Sequence, residues 1–195
     1  MIKKKSGFTP IKSGFTLLET MIVIGIISLI LPLIFSIVFS ITRQQAKVYV
    51  LSTVKREGDN ALSVIENLIR TNAIGIYSDQ TLSSKVCTTA SYDGGNGSSF
   101  YFSDKDGNWF NFKTTIDTNL LKIASNSSTL NTAIDLTSTK NTQISAFNIS
   151  CDQTSSTSSP IISIQFTIAQ KQTTSTRIED LASLNYSTKI KLRSY

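Results

Sequence analysis

The chain has 195 residues, of which 40% are hydrophobic and 16% are charged, and it carries a net charge of +6 without any histidine. Without histidine, neither a Ser-His-Asp or Cys-His catalytic pair nor a histidine-ligated zinc site can form. Two cysteines are too few for a four-cysteine metal site, and the sequence has no P-loop or dinucleotide-type glycine motif. We therefore expect no enzyme activity, no cofactor and no metal.

The most apolar part of the chain lies near its N-terminus. Residues 21–41 include no charged side chain and fifteen Ile, Leu, Val or Phe residues. As a helix, 21 residues span about 30 Å, the thickness of a bilayer's hydrocarbon core. An ordinary cleaved secretory signal has a shorter apolar region. We therefore predict a membrane-spanning helix over residues 15–42.

Lysines at positions 3, 4, 5 and 12 precede this helix without any acidic residue among them. Basic residues flanking a span stay on the cytoplasmic side. The sequence thus predicts a single-pass protein of the cytoplasmic membrane, with residues 1–14 inside and the C-terminal part outside. Glu19 does not fit a plain anchor, because a carboxylate at the edge of an apolar span is costly unless it is paired. We expect its partner to lie outside this helix.

Residues 14–19 read Gly-Phe-Thr-Leu-Leu-Glu, between a short basic leader and an apolar helix. This pattern resembles the processing site of type IV pilins and type II secretion pseudopilins. The resemblance implies that a prepilin peptidase cleaves between Gly14 and Phe15, that the new N-terminal Phe15 is N-methylated, and that Glu19 serves in filament assembly. A second Gly-Phe-Thr, at positions 7–9, has Lys12 where the motif has its glutamate and no apolar run directly after it.

The same resemblance implies four kinds of partner: the prepilin peptidase, other pilin or pseudopilin subunits, an inner-membrane assembly platform, and membrane lipid before assembly. No nucleic acid is required. Pro32 lies within the span and leaves the Ser28 carbonyl without its helical N–H donor. We expect Pro32 either to kink the helix or to allow the helix to stretch locally in a packed filament.

After the span, residues 43–72 continue a helical pattern that becomes amphipathic. Gly58 should weaken this part of the helix by about 1 kcal/mol. The apolar positions recur at helical spacing and comprise Val50, Val54, Ala61, Ile65 and Ile69, with Leu51, Leu62 and Leu68 beside them.

Residues 73–195 are predicted to form a β-rich domain outside the membrane. Candidate strands lie at 99–102, 109–113, 120–124, 144–149, 161–168 and 186–192, separated by Ser/Thr-rich loops at 125–132, 154–160 and 173–176. The expected fold class is α+β, with a long N-terminal helix packed on a C-terminal antiparallel sheet. Residues 136–138 (Leu-Thr-Ser), the strand after them and the final strand are similar to minor pilins and minor pseudopilins.

Three features of this domain have competing interpretations. Cys87 and Cys151 lie outside the membrane in this topology, where an oxidising exterior favours a disulfide, although two separate buried thiols are the alternative. Residues 104–108 (Asp-Lys-Asp-Gly-Asn) resemble the start of a calcium loop, but Thr115 stands where such a loop needs glutamate, and flanking aromatic strands favour a hairpin turn. Residues 93–97 are interpreted as a flexible loop.

The function expected from the resemblance is a structural subunit of a type IV pilus or a type II secretion-like filament, at the cell surface or in the periplasm when assembled. The alternative is a filament-borne binding module, either an adhesin or a DNA-uptake subunit. Aromatic residues would serve that second function if they lay beside a basic groove. Only Lys105 and Lys113 lie near the aromatic strands in sequence, which favours a role for the aromatic residues in the core.

We predict cleavage between Gly14 and Phe15 in cells that contain an active prepilin peptidase, because the leader ends in glycine and Glu19 is the fifth residue after the cut. Mass spectrometry of the mature N-terminus measures the position. A mature chain that begins at another residue, or one that keeps its leader, would contradict the motif assignment.

Overall fold

The computed structural model describes residues 14–153, 155, 158–172 and 181–193, so the leader before Gly14 and the loop predicted at 173–176 lie outside the described residues. The chain divides into two compact units between Gln45 and Ala46. A single long helix, α1 (Leu17–Asn72), precedes a set of antiparallel strands in the described chain. The predicted α+β fold class is confirmed.

The described strands form one antiparallel sheet in the order β1-β3-β4-β5-β7-β8-β9, with β2 paired to β7 and β6 paired to β5. Consecutive long strands are neighbours in this order, so hairpin connections build most of the sheet. The strands are β1 (Gly75–Tyr77), β2 (Tyr92–Asp93), β3 (Tyr101–Ser103), β4 (Trp109–Asp117), β5 (Leu120–Ser127), β6 (Ile134–Asp135), β7 (Thr142–Asp152), β8 (Ile161–Gln170) and β9 (Ser183–Lys191).

The predicted aromatic hairpin is present as β3 and β4, which are joined by the turn at residues 104–108. A second hairpin follows at once, because Thr118 and Asn119 have φ angles of 47° and 64°, as a tight two-residue turn requires. The prediction that a loop begins at residue 125 is wrong. β5 continues to Ser127, which pairs with Phe110 in β4.

A β-bulge in β7 decides which of its side chains face the core. The register shifts between Ile144 and Ala146. Strict alternation would place Ile144 and Phe147 on opposite faces of the sheet, but the extra residue brings both inward. They are 3% and 8% exposed, and Ile149 is fully buried. The bulge is the reason that the sequence pattern of this strand looks two-sided.

The core of the second unit lies between one face of α1 and the sheet. The predicted apolar stripe is confirmed at Val54, Ala61, Ile65 and Ile69, which recur at helical spacing and are buried, whereas Leu51 is 41% exposed. The largest fully buried side chains of the sheet and its loops include Phe100, Phe102, Phe112, Phe166, Ile123, Ile149 and Ile164.

Cys87 and Cys151 form a disulfide, so the alternative of two separate thiols is wrong. Their Cα atoms are 6.2 Å apart, and both residues are buried. The bond ties the segment after β1 to the end of β7 across a sequence separation of 64 residues. In the chain-entropy model, closing a loop of this length stabilises the folded chain by about 4 kcal/mol.

Residues 93–97, interpreted from sequence as a flexible loop, pack against the sheet instead. Asp93 belongs to β2, and the Thr114 N–H donates to the Asn96 carbonyl oxygen at 3.1 Å. Gly97 has a φ of 84°, and a Cβ atom at this position would overlap the Phe112 carbonyl oxygen. Only glycine permits so close an approach of two backbones in this conformation.

The Leu-Thr-Ser segment at residues 136–138 has a structural role beside β5. The Leu136 N–H donates to the Ile123 carbonyl oxygen at 2.8 Å, and the Ile123 N–H donates to Thr137 Oγ1 at 3.0 Å. Thr137 is buried. Its hydroxyl satisfies a backbone donor that the short β6 leaves without a strand partner.

The edge strand β9 attaches to α1 through an aromatic ring and two polar contacts. Tyr186 stacks on Phe166 with ring centroids 5.0 Å apart. Its hydroxyl lies 3.0 Å from both the Lys55 carbonyl oxygen and Asp59 Oδ1, which share its proton. Two turns further along α1, the Thr188 hydroxyl donates to the Glu66 carboxylate.

Gly58 makes this attachment possible. It is buried on the inner face of α1, and a Cβ atom there would overlap the ring of Tyr186. The glycine that sequence analysis treats as a weak point of the helix is therefore the place where the helix admits an aromatic side chain.

We expect Gly58→Ala to lower the free energy of unfolding by about 1 kcal/mol. Overpacking against Tyr186 costs about 1–3 kcal/mol, and the better helix propensity of alanine offsets about 1 kcal/mol of that cost. In a Tyr186→Ala background the same substitution should instead stabilise by up to about 1 kcal/mol. Denaturant unfolding of the four chains in detergent, followed by circular dichroism, measures both effects. An equal effect of Gly58→Ala in the two backgrounds would contradict the contact.

The Tyr186 hydroxyl should also make stability depend on pH in the alkaline range. Burial, followed by the hydrogen bond to Asp59 and its charge, raises the pKa of Tyr186 to about 12. The unfolded chain has the ordinary value of about 10. Because the folded state holds this proton more tightly, the contribution is complete below pH 10 and is lost as the pH rises towards 12.

The measurement is the free energy of unfolding of the wild type minus that of Tyr186→Phe, taken from pH 8 to pH 11. The difference should stay constant to about pH 10 and then narrow. The other tyrosines and the lysines titrate in both chains and cancel. A difference that widens above pH 10 would show that the folded state favours the ionised phenol.

Candidate assembly segment

The predicted cleavage site lies in an exposed stretch just before α1. Gly14, Phe15 and Thr16 precede the first helical residue and all three are exposed. Phe15 is 77% exposed, and a Cβ atom at Gly14 would meet nothing within 4 Å. The peptide bond between Gly14 and Phe15 is therefore accessible to a peptidase, because no folded element covers it in the described chain.

Thr16 caps the start of α1. Its side-chain Oγ1 accepts a hydrogen bond from the Glu19 N–H at 3.3 Å, and its carbonyl oxygen accepts from the N–H groups of Glu19 and Thr20 at 3.1 and 3.2 Å. Thr-x-x-Glu at the N-cap and third helical position is the sequence of a capping box. Sequence analysis missed this role for Thr16, although the spacing of Thr16 and Glu19 carries the signal.

Glu19 therefore occupies the third position of the helix. There its carboxylate lies beside the unpaired N–H groups of the first turn and is stabilised by the helix dipole. Within the described residues both ion pairs involve Lys122, and no cation lies within 4 Å of the Glu19 carboxylate. The helix terminus is thus the support for this acid that the described residues supply.

Residues 17–41 present an apolar surface on every side of α1. Each of these side chains is exposed, and α1 is long and apolar enough to cross a membrane once. Polar side chains in the same stretch bond to the helix itself: the Thr20 hydroxyl donates to the Leu17 carbonyl oxygen and the Ser28 hydroxyl to that of Gly25, both at 2.8 Å. Such internal bonds let hydroxyls enter an apolar medium without water.

The helix continues through Pro32 without interruption. Pro32 has no N–H, so the Ser28 carbonyl oxygen lacks its usual helical donor. Whether the helix kinks or stretches at this point stays a prediction.

The calcium-like sequence at residues 104–108 forms the turn between β3 and β4. Asp104 Oδ1 accepts hydrogen bonds from the backbone N–H groups of Asp106 and Asn108 at 2.9 and 2.8 Å. Its carboxylate thus closes the turn. In the part of the chain that the structure describes, no group of three or more His, Cys, Asp or Glu residues is placed to hold a metal ion.

The aromatic residues considered for ligand binding belong mostly to the core. Phe100, Phe102 and Phe112 are fully buried and Phe110 is 8% exposed. Tyr101 and Trp109 are half-buried and contact each other edge to face, with centroids 5.6 Å apart. The preference for core packing is confirmed for the four phenylalanines, which leaves little aromatic surface for a binding module.

Comparison of the chain with known protein families, with curated proteins and with solved structures finds no significant match to any of them. The fold is that of an α+β protein, and the described residues include one helix able to cross a membrane.

Proposed function

We propose that the chain is a structural subunit, a minor pilin or pseudopilin, of a type IV pilus or type II secretion-like filament. A prepilin peptidase removes residues 1–14, and the mature subunit leaves the membrane by packing its N-terminal helix against those of other subunits on an inner-membrane assembly platform. The observation that carries the proposal is an all-round apolar helical surface that begins directly after an accessible Gly14–Phe15 bond and bears an acid in its first turn.

Glu19 supplies the polar contact of this assembly. Cleavage gives Phe15 a positive amine four residues before Glu19. A neighbouring subunit's amine is a suitable partner, since the described residues provide no cation beside the carboxylate. Two such charges at about 4 Å attract by about 4 kcal/mol at an effective dielectric of 20, and desolvation reduces that gain. A subunit at the wrong height would leave a carboxylate unpaired in an apolar medium, so the pair also sets the register.

The capping box offers a purely structural reason for Glu19, and the two roles can be separated. Glu19→Gln removes the charge but keeps a side chain that serves the third position of a capping box. Thr16→Ala removes the cap and keeps the charge. Glu57→Gln removes one negative charge from the same helix beyond the apolar segment and serves as the matched control.

We expect Glu19→Gln and Glu19→Ala to reduce incorporation into sheared filaments at least tenfold, because leaving one partner of a desolvated pair alone costs about 3–5 kcal/mol. Thr16→Ala should cost about 1 kcal/mol of helix stability and reduce incorporation much less, and Glu57→Gln should match the wild type. The measurement is the amount of each variant in filaments or in complexes with other subunits, at equal membrane levels and equal cleavage. Normal incorporation of Glu19→Gln together with a defect in Thr16→Ala would show that helix capping, and not charge pairing, explains Glu19.

A further inference from the structure

A cleft of about 260 Å³ lies at the point where α1 enters the second unit. It is lined by the first turns of α1 in that unit and by two loops at the ends of β7 and β8. Its lining residues are Tyr49, Val50, Thr53, Val54, Lys140, Asn141, Gln170 and Lys171. The described lining residues therefore combine two cations with neutral side chains and include no acid.

The two lysines come together because the loops that carry them are bonded to each other. The Lys171 N–H donates to the Asn141 carbonyl oxygen at 2.9 Å, and the Lys140 N–H donates to Ser138 Oγ at 3.3 Å. The ion pairs found between two described residues are those of Lys122 with Asp117 and Asp135, so neither Lys140 nor Lys171 pairs with a described carboxylate. The cleft thus presents positive charge without an acidic partner from residues 14–153, 155, 158–172 or 181–193.

Gln170 adds an acceptor to this positive site. Its Oε1 atom is buried and has no hydrogen-bond partner among the described atoms. A buried acceptor without a partner is costly. Because the Gln170 side chain as a whole is only half-buried, its rotation would bring this oxygen to a ligand hydroxyl in the cleft. The cleft therefore suits a group that carries both an anionic oxygen and a hydroxyl donor.

The position of the cleft along the chain indicates where such a group comes from. Tyr49 lies only eight residues in sequence after Ile41, the end of the uncharged run. Val48 and Tyr49 are 64% and 73% exposed, and tyrosine is enriched at the membrane–water interface. Between Glu19 and Glu57 the chain has four cations and no acid, and such a segment is attracted to anionic lipid headgroups on whichever side of the membrane it lies.

We propose that this cleft binds the headgroup of an anionic phospholipid while the protein is held in the membrane. Lys140 and Lys171 contact the phosphodiester, Gln170 accepts from a headgroup hydroxyl such as that of phosphatidylglycerol, and Tyr49 packs at the acyl boundary. The inference rests on the membrane span and not on the proposed filament role. It holds for either orientation of the chain, because the cleft follows the span on whichever side it lies.

The test uses the full chain in nanodiscs that contain either phosphatidylglycerol or phosphatidylcholine. A water-soluble amine-acylating reagent is applied, and the labelling rate of each lysine is read by mass spectrometry. Lys140 and Lys171 should be labelled several-fold more slowly in phosphatidylglycerol. Lys189 and Lys191, exposed on the edge strand β9, are internal controls whose rates should change little.

A second measurement compares Lys140→Gln/Lys171→Gln with Lys189→Gln/Lys191→Gln, which carries the same change of charge. Native mass spectrometry from an equimolar mixture of the two lipids gives the ratio of bound phosphatidylglycerol to phosphatidylcholine. A basic residue near an anionic surface contributes roughly fivefold in binding, so the first variant should lose roughly 25-fold in this ratio and the second much less.

Three results would overturn the proposal. Equal labelling in the two lipids would show that no headgroup covers the lysines. An equal loss of lipid preference in both double variants would indicate a general effect of charge. Protection by inorganic phosphate in phosphatidylcholine nanodiscs, with no additional effect of phosphatidylglycerol, would indicate a site for a free anion.

Discussion

Burial of one face of α1 against the sheet is the contact on which the C-terminal unit depends. Ala61, Ile65 and Ile69 are fully buried there, and each large aliphatic side chain removed from water contributes about 1.5–3 kcal/mol. The sheet has no second helix to cover this face within the described chain. Hairpins join only strands that are neighbours in sequence. Packing against the helix therefore holds the more distant strands together, and the disulfide adds one covalent link between the segment after β1 and β7.

The same helix carries a second apolar surface of a different kind. Over residues 17–41 the apolar side chains surround the helix, whereas beyond residue 46 the buried positions form one stripe. A stripe can be satisfied by a single sheet, but an all-round surface needs a medium or several neighbours. Membrane lipid supplies such a medium, and the packed helices of the filament proposed above would supply such neighbours.

Polar groups on α1 make hydrogen bonds at the start of the helix and along the face that packs against the edge strand. At the start, the Thr16 side chain accepts a hydrogen bond from the Glu19 N–H at the open end of the helix. Further along, the Asp59 and Glu66 carboxylates accept hydrogen bonds from Tyr186 and Thr188 of the edge strand. These contacts add direction to an otherwise apolar interface, since a hydrogen bond requires a particular geometry and apolar burial does not. The edge strand thereby has a defined position on the helix.

Local patterns in the sequence determined the α+β class, the apolar span, the buried stripe and the aromatic hairpin, because helical and strand periodicity and turn residues act over a few positions. The capping box at Thr16 was readable in the same way. The Cys87–Cys151 disulfide was favoured from the sequence and is confirmed, although only the structure excluded two separate thiols. Tertiary structure alone decided that Gly58 receives the ring of Tyr186 and that Lys140 and Lys171 line one cleft. Each of these pairs joins residues distant in sequence or on different elements, and their meeting depends on the order and register of the strands. The bulge in β7 shows the same limit, since one extra residue reversed the faces that strict alternation would assign.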